Sequence, residues 1–402
     1  MTSLPSLATL PKPTQPHEVA VPRTNPLLDR LEAYPMAALV RAVTELRASG
    51  GPVFDFGLGD PDEPTPAVVR QALRDAVPTV SQYPTVRGTP EVRQAIAAYL
   101  KRRFGVTVNP HTQVLPTSGS KEAVFHLPLA VIDPAAPDRT TIFPDPSYPA
   151  YARGTLFAGG TPHAVPLPRD WRFRPWELPT DLLDRARILY INSPHNPSGA
   201  IANRDDLRRI HATCQQHDIL LVADECYADM YDHAPPPSLL EVATQDVLVI
   251  HSLSKRSGMT GYRSGFLAGD PRWIRILGEL RTNPGVAPQD FVNAAATAAW
   301  NDDSHAAARR ETFTAKRTLM RAFLEGIGLE VAPSQATFYL WFRAPEGHDD
   351  RSYAALLRTV GIVVVPGHML GSTPASDGWL RLALVPDLEG CRAACEAWAK
   401  VG

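Results

Sequence analysis

Residues 188–224 carry the pattern that sets the fold class. They begin with the apolar run Ile188-Leu-Tyr-Ile-Asn192 and end with the run Ile219-Leu-Leu-Val-Ala-Asp224. Both runs are apolar on both faces, as buried parallel strands are. Between them, residues 203–217 place apolar side chains at helical spacing. A strand, a helix and a second strand of this kind predict a βαβ unit in a parallel sheet.

The same rhythm extends in both directions. Two more runs of this kind are Thr141-Ile-Phe-Pro-Asp145 and Val247-Leu-Val-Ile-His-Ser252, which predicts an α/β fold with a mostly parallel sheet sandwiched by helices. A long helical pattern over 290–325, interrupted at Asn301-Asp-Asp-Ser304, precedes further strand-like runs and predicts a smaller α+β unit. These runs are 338–342, 362–365 and 380–384. The predicted organisation is a flexible Pro-rich arm at 1–24, a large domain over about 60–290, and a small domain made of 25–59 and about 291–402.

Composition excludes several classes of protein. The 402 residues carry a net charge of −2, so there is no overall basic field to hold a nucleic acid or an anionic membrane. No apolar stretch approaches the length of about 18 residues that a membrane helix needs. The four cysteines include no CxxC pair, and no histidine cluster has metal-ligand spacing. These features predict a cytoplasmic protein without a metal site, a membrane span or a nucleic-acid partner.

Chemistry is expected at the ends of these strands. Ligands of open α/β sheets bind outside the carboxyl ends of the strands, where Asn192, Asp224 and Ser252 each close an apolar run. Lys255 follows within a segment rich in Ser and Gly and is a candidate for covalent amine chemistry. Arg263 could bind a phosphate in a bidentate fork with help from the Ser252 hydroxyl. A surface loop with solvated cations is the alternative.

Asp224 ends a buried strand, where a carboxylate is costly unless it faces a cation. A protonated pyridine nitrogen is such a cation, and an acid partner keeps it protonated. A helix N-cap or an ordinary ion pair is the alternative. On the next strand end, two prolines fix the backbone around Asn196, whose amide could donate to a phenolic oxygen together with Tyr227. A plain turn explains that segment equally well, and His195 is interpreted as a turn residue.

A fourth segment, Thr117-Ser-Gly119-Ser120-Lys121, precedes a predicted helix over Glu122–Val131. Small residues at a helix N-terminus leave backbone N–H groups that face an anion. A simple capping motif has the same appearance.

Together these segments resemble the class I/II, fold-type I, pyridoxal-phosphate-dependent aminotransferase family over roughly 25–400. The resemblance is carried by Asn196-Pro-Ser-Gly199, by Asp224-x-x-Tyr227, and by Ser252-x-Ser-Lys255 followed eight residues later by Arg263. It implies that Lys255 binds pyridoxal 5'-phosphate covalently and moves the substrate Cα proton. Asp224 would pair with the ring nitrogen, and Asn196 and Tyr227 with the ring hydroxyl.

The resemblance also implies roles for residues outside these motifs. The cofactor phosphate would be held by Gly119, Ser120, Lys121, Ser252 and Arg263, while Tyr148 would stack on the ring. Tyr83 would reach the phosphate of the partner subunit in a homodimer. The substrate α-carboxylate would be bound by Arg381, with Gly59 in the segment that closes over it and Asn196 beside it. The substrates would be an amino acid and a 2-oxo acid.

A closer resemblance is to the N-succinyl-diaminopimelate aminotransferases of bacterial lysine biosynthesis, which use glutamate as amino donor. It is carried by 25–35, 251–257, 299–305 and 381–385. The segment Ser257-Gly-Met-Thr-Gly261 departs from that pattern. An aminotransferase for LL-diaminopimelate, aspartate, alanine or an aromatic amino acid, or a lyase with the same cofactor, stays open. Three arginines could read the distal end of the substrate and are not ranked: Arg87, Arg153 and Arg256.

Readings outside this family fit the sequence less well. Ser252-Leu-Ser-Lys255 satisfies the Ser-x-x-Lys motif of penicillin-binding proteins, but their other motifs are missing from the sequence. A dinucleotide fingerprint after Gly57 fails at its third glycine position, which is Asp62. A non-catalytic, effector-binding module of the same fold is the remaining alternative, although every catalytic position is filled.

Overall fold

The structure is a computed structural model that describes residues 23–29 and 36–401. The first of these segments contains one short helix, whose start is capped by the Asn25 side chain, which accepts a 2.9 Å hydrogen bond from the Leu27 N–H. The described residues from 36 onward form one compact unit. The predicted Pro-rich arm lies outside the described residues except for residues 23 and 24.

The described strands form one large sheet and two small ones. Their bounds are β1 (Phe54–Asp55), β2 (Val114–Thr117), β3 (Thr140–Asp145), β4 (Thr161–Pro166), β5 (Ala186–Asn192), β6 (Leu220–Asp224), β7 (Val247–Ser252), β8 (Gly265–Gly269), β9 (Tyr339–Arg343), β10 (Ile362–Val363), β11 (Val365–Pro366) and β12 (Trp379–Ala383). The helices are α1 (Pro26–Asp29), α2 (Met36–Ala48), α3 (Ala67–Ala76), α4 (Pro90–Phe104), α5 (Ser120–Val131), α6 (Ala150–Phe157), α7 (Thr180–Leu183), α8 (Arg204–Gln216), α9 (Leu253–Arg256), α10 (Pro271–Thr282), α11 (Asp290–Asn301), α12 (Ser304–Gly326), α13 (Asp350–Arg358) and α14 (Leu388–Trp398).

The large sheet has seven strands in the order β2-β8-β7-β6-β5-β3-β4. Only β8 runs against the others, because it pairs antiparallel with both β2 and β7. The predicted mostly parallel sheet is therefore confirmed. Strands β6, β7 and β3 are buried along their whole length, as their two-sided apolar pattern requires.

The register of this sheet places the predicted polar strand ends side by side. Asn192 at the end of β5 pairs with Asp224 at the end of β6, and Asp224 pairs with Ile250 of β7. Strand β7 ends two residues later at Ser252, whose hydroxyl accepts a 3.1 Å hydrogen bond from the Ser254 N–H and so starts α9. Three polar residues and helix α9, which contains Lys255, therefore lie at the same edge of the sheet.

The two small sheets are built from strands of the C-terminal part of the chain together with β1 from its N-terminal part. Strands β11, β12 and β9 form an antiparallel sheet, and β1 pairs in parallel with β10. The strands predicted at 338–342, 362–365 and 380–384 therefore exist, shifted by one residue or broken once. The predicted interruption of the long helix is confirmed between α11 and α12, where the Asp302 carboxylate accepts from the Ser304 N–H. The bounds of the two domains stay a prediction.

Cys391 and Cys395 behave as small apolar residues. All four cysteines are free, and Cys391 on α14 is fully buried while Cys395, one turn later, places its sulfur 3.5 Å from that of Met320. Both therefore pack in the interior of the C-terminal part of the chain. None of the described helices combines the length and apolar character needed to cross a membrane. The cytoplasmic location stays a prediction.

Candidate active site

A cavity of about 610 Å³ lies at the carboxyl ends of β5, β6 and β7. Its wall contains every predicted site residue except two, Gly119 and Tyr83. The predicted residues in the wall are Gly59, Ser120, Lys121, Tyr148, Asn196, Asp224, Tyr227, Ser252, Lys255, Arg263 and Arg381. Segments distant in the sequence therefore meet where the strand ends predict a ligand site.

Lys255 lies on the first turn after β7 and is half-buried. Its ammonium group donates a hydrogen bond to the Gly59 carbonyl and lies 5.1 Å from the centre of the Phe338 ring. Among the described residues it forms no ion pair with a carboxylate. A dipole rather than a counter-charge therefore holds this amine at the cavity.

Asp224 is 6% exposed, and its carboxylate has neutral donors only. Oδ2 accepts a 2.7 Å hydrogen bond from the Tyr151 hydroxyl, and Oδ1 accepts from the Cys226 N–H at 3.2 Å. Burial raises the pKa of Asp224 above its ordinary value, and these hydrogen bonds offset part of that effect. In the described part of the chain no lysine or arginine pairs with it, and it caps no helix, so both alternatives for Asp224 are wrong.

Arg381 projects from β12 and is 5% exposed. Nη1 donates to Asn196 Oδ1 at 3.2 Å, and Nη2 donates to the Gly57 carbonyl at 3.1 Å. Nε has no hydrogen-bond partner among the described residues, and neither does the guanidinium have a carboxylate partner there. Asn196 Nδ2 in turn donates to the Tyr227 hydroxyl at 3.5 Å. A buried cation without a counter-charge is suited to a carboxylate ligand.

The opposite end of the cavity is rich in hydrogen-bond donors. Helix α5 begins at Ser120, two residues before the predicted start, because Gly119 adopts φ 84° and forms its N-cap. A Cβ at Gly119 would lie 3.0 Å from Arg263 Cζ, so only glycine fits beside this guanidinium. Arg263 itself has φ 53° and donates to the Thr260 carbonyl at 2.7 Å. Lys121 and Ser252 line the same end, which makes it suited to a phosphate.

Residues 57–65, here called the strap, cross the cavity between Arg381 and Lys255. Its far end is held by the Thr65 hydroxyl, which donates to the Gly258 carbonyl at 2.6 Å. The Glu63 carboxylate is bound by the buried ammonium group of Lys316 on α12. The strap therefore forms a fixed side of the cavity rather than a loose loop.

Comparison with known proteins decides the family. Residues 51–397 match the family model described as aminotransferase class I and II. The chain belongs to that family. It is 38% identical over 367 residues to LL-diaminopimelate aminotransferase 2 of Trichormus variabilis, covering 89% of this chain and 93% of that protein.

Solved structures confirm the fold of this aminotransferase as that of the fold-type I enzymes. Substrate-bound BacF from Bacillus subtilis matches with a TM-score of 0.89 at 26% identity, covering 95% of this chain and 98% of BacF. A probable N-succinyldiaminopimelate aminotransferase from Thermus thermophilus matches with a TM-score of 0.86 at 27% identity, covering 91% of this chain and all of that chain.

The three arginines considered for the distal end of the substrate do not line the cavity of the single aminotransferase chain. For Arg256 the proposal is wrong: the guanidinium is 4% exposed and is bound by Asp229 at 2.7 Å and Asp303 at 2.6 Å. The side chain of Arg87 donates instead to the His111 carbonyl. Although Arg256 follows Lys255 directly in the sequence, its guanidinium belongs to the protein interior.

His195 is confirmed as a turn residue of the aminotransferase. It is 3% exposed, with Nδ1 at 2.7 Å from the Ser198 hydroxyl and Nε2 at 3.0 Å from the Pro146 carbonyl. Burial lowers the pKa of His195 to about 4, so the ring is neutral at physiological pH. It joins two loops and offers no proton for chemistry.

Two tyrosines of the aminotransferase site were missed by sequence reasoning. Tyr339 lines the cavity beside Arg381, and Tyr151 lies beneath it against Asp224. A usable signal existed for Tyr151, which follows Tyr148 by three residues, the spacing of side chains that lie on one face of a helical turn. No such signal exists for Tyr339, because the sequence around it predicts only a buried strand.

Proposed function

We propose that this aminotransferase uses pyridoxal 5'-phosphate to move the amino group of LL-diaminopimelate to a 2-oxo acid. The choice of substrate rests on eight relatives named LL-diaminopimelate aminotransferase, which are 33–38% identical over 88–93% of this chain. The N-succinyl-diaminopimelate step with glutamate as donor is the second candidate, supported by the 27% identical Thermus thermophilus protein.

The lining fits the cofactor at three points. The uncompensated carboxylate of Asp224 suits a protonated ring nitrogen, and Lys255 offers an amine without an acidic partner. Gly119, Ser120, Lys121, Ser252 and Arg263 form the donor-rich end for the phosphate, with Tyr148 on the wall between the two ends. When bound, the cofactor supplies a protonated ring that stabilises the electron pair left on the substrate Cα after its proton departs.

The chain's own residues bind, orient and move the proton. Arg381 binds the α-carboxylate, which selects amino acids as a class and aligns the Cα–H bond. Lys255 would hold the cofactor covalently through its amine, and the same amine is placed to accept and return the proton of the substrate Cα. Asn196 and Tyr227 would donate to the ring hydroxyl. Gly59 and the strap cover the carboxylate and exclude water.

The proposed assembly is a homodimer in which Tyr83 reaches the phosphate of the partner subunit. Tyr83 is fully exposed in the single chain and lies outside the cavity wall. Val77 and Val80 in the same loop are also largely exposed. An apolar, tyrosine-bearing loop of this kind is suited to contact a second copy of the chain.

The test is the visible absorption of the cofactor-loaded protein as single amino acids are added without a 2-oxo acid. The panel contains LL-diaminopimelate, N-succinyl-LL-diaminopimelate, glutamate, aspartate and alanine. We expect loss of the visible band with LL-diaminopimelate and glutamate, and its return on adding 2-oxoglutarate, which a lyase would not require. Conversion by the succinylated compound but not by LL-diaminopimelate would select the second candidate. A protein that gains no band from pyridoxal phosphate would refute the proposed function.

A further inference from the structure

Tyr339 on β9 contacts two other side chains of the cavity wall, Arg381 and Tyr227. It is 2% exposed. Its ring centre lies 4.4 Å from Arg381 Cζ, in a cation–π contact with the arginine that faces the substrate carboxylate. Its hydroxyl lies 3.2 Å from the hydroxyl of Tyr227, which faces the ring hydroxyl of the proposed cofactor. One side chain therefore contacts both the arginine proposed to bind the substrate carboxylate and a tyrosine proposed to bind the cofactor ring.

This contact closes a circuit of four side chains. Arg381 donates to Asn196 at 3.2 Å, and Asn196 donates to Tyr227 at 3.5 Å. Tyr227 then contacts Tyr339, and the ring of Tyr339 returns to Arg381. Each member has two neighbours in the circuit, so a displacement of one is transmitted to the others in both directions.

The strap confines Tyr339 from the remaining side. A Cβ added at Gly59 would collide with the Tyr339 hydroxyl, so the strap passes directly over that oxygen. The other ring contacts are Phe338 and Tyr227, with centre-to-centre distances of 4.4 Å and 5.7 Å. With its ring packed on several sides, Tyr339 has little room to change rotamer.

We propose that Tyr339 is a positioning residue that couples the carboxylate-binding Arg381 to the hydrogen bond between Tyr227 and the cofactor ring hydroxyl. This inference rests on the proposed function, since it needs the cofactor beside Tyr227. In this proposal the Tyr339 hydroxyl is the donor to the Tyr227 oxygen, which makes Tyr227 a stronger donor to the ring hydroxyl. The Tyr339 ring holds Arg381 in the plane that its substrate carboxylate requires.

The hydroxyl and the ring have separable effects. Tyr339→Phe keeps the ring under Arg381 and removes only the hydrogen bond to Tyr227. Tyr339→Leu removes both. The matched control is Tyr353→Phe, which deletes the hydroxyl of an equally buried tyrosine that accepts a 2.9 Å hydrogen bond from Trp398 Nε1, away from the cavity wall.

The experiment measures cofactor stoichiometry, the pH midpoint of the visible band, and KM and kcat for each variant. In Tyr339→Phe a weaker Tyr227 donor lets the ring hydroxyl keep its proton to higher pH, so we expect the midpoint to rise by about 0.5 pH unit with KM within roughly twofold. In Tyr339→Leu we expect KM for both the amino acid and the 2-oxo acid to rise about tenfold, because both carry the carboxylate that Arg381 binds. Stoichiometry stays at the wild-type value in both.

Three results would overturn the inference, and each is distinguishable from failure of the proposed function. If Tyr339→Phe keeps the wild-type band and the wild-type midpoint, the hydroxyl is not coupled to the cofactor. If Tyr339→Leu keeps the wild-type KM, the ring does not position Arg381. A shift of the same size in Tyr353→Phe would make the effect non-specific and reject the inference as well. A wild-type protein that binds no pyridoxal phosphate would refute the proposed function and this inference with it.

Discussion

The Tyr151 hydroxyl on α6 donates a 2.7 Å hydrogen bond to Asp224 Oδ2 at the end of β6. The Tyr151 ring is fixed in turn by stacking on Tyr190, with ring centres 4.6 Å apart. This donor is neutral, so it orients the carboxylate without cancelling its charge. Among the described residues no lysine or arginine pairs with this carboxylate, so a cationic ligand is suited to this part of the cavity wall.

The first prediction concerns Asp224 in the cofactor-free protein. Because burial raises the pKa of this carboxyl, the folded chain binds the proton more tightly than the unfolded chain does, and this group destabilises the fold as pH rises above its ordinary value of 3.8. We expect Asp224→Asn to melt about 2 °C higher than the wild type at about pH 8. The difference should shrink as pH falls below the raised pKa.

Scanning calorimetry of both cofactor-free proteins over a pH series checks this expectation. The same variant should lose aminotransferase activity by several orders of magnitude, since the ring nitrogen loses its acid partner. A variant that melts below the wild type at alkaline pH, or that keeps near-normal turnover, would remove Asp224 from this role.

The second prediction concerns Lys255. Lys255→Ala should abolish turnover and prevent borohydride from fixing the cofactor to the chain, because the amine that forms the reducible bond is missing. Mass spectrometry before and after reduction measures this directly. Lys101→Ala, a lysine at the end of α4 whose ammonium group reaches the Gly105 carbonyl, is the control and should gain the cofactor mass as the wild type does. Cofactor fixed to Lys255→Ala would identify another residue.

The third prediction concerns Tyr83. If this exposed side chain completes the partner's site, then Tyr83→Phe should bind pyridoxal phosphate more weakly than the wild type. Refolding it together with Lys255→Ala chains should produce dimers with one site of wild-type affinity, built from the intact halves. Titration with limiting cofactor counts that site. Unchanged affinity in Tyr83→Phe, together with no restored site, would leave Tyr83 with a structural role only.

The fourth prediction concerns the anchor of the strap. Lys316 is 1% exposed at its side chain, binds Glu63, and also donates to the carbonyls of Leu384 and Val385 at 3.2 and 3.3 Å. Lys316→Met should lower the free energy of unfolding by about 3 kcal/mol, because it removes the buried ammonium group that binds Glu63 and leaves that carboxylate only the guanidinium of Arg309, at 4.0 Å. Urea denaturation of this variant, of Glu63→Gln and of the double variant measures the coupling. Strict additivity of the two single effects would contradict it.

Four strands of the large sheet, β3, β5, β6 and β7, could be predicted because each carries its signal locally, whereas β2, β4 and β8 were not predicted. Strands β5, β6 and β7 are continuous apolar runs closed by a polar residue, so both their existence and the position of the site follow from the pattern. Strand β4 could not be found this way. It lies at the sheet edge with exposed and half-buried residues alternating irregularly, and prolines at Pro162 and Pro166 interrupt its pattern.

The contacts between functional residues could not be predicted from the sequence for a different reason. Tyr151 and Asp224 are 73 residues apart, and Tyr227 and Tyr339 are 112 apart. Periodicity reports which face a residue occupies but not which residue it meets across the core. Arg256 illustrates the opposite error, since its sequence neighbour Lys255 suggested a role in the cavity whereas its guanidinium is bound by Asp229 on the other side.

Asn192, Asp224 and Ser252 are the last residues of three hydrogen-bonded strands. This placement divides the cavity wall into a part that tolerates little substitution and a part that tolerates more. Their backbones are tied into the sheet, so they could not be moved without disturbing the protein's core. Part of the remaining wall comes from segments outside the large sheet, at 58–60, 147–149, 260–261 and 370. Directed evolution of new amino-acid selectivity should therefore succeed in libraries confined to these segments and fail in libraries that vary the strand ends.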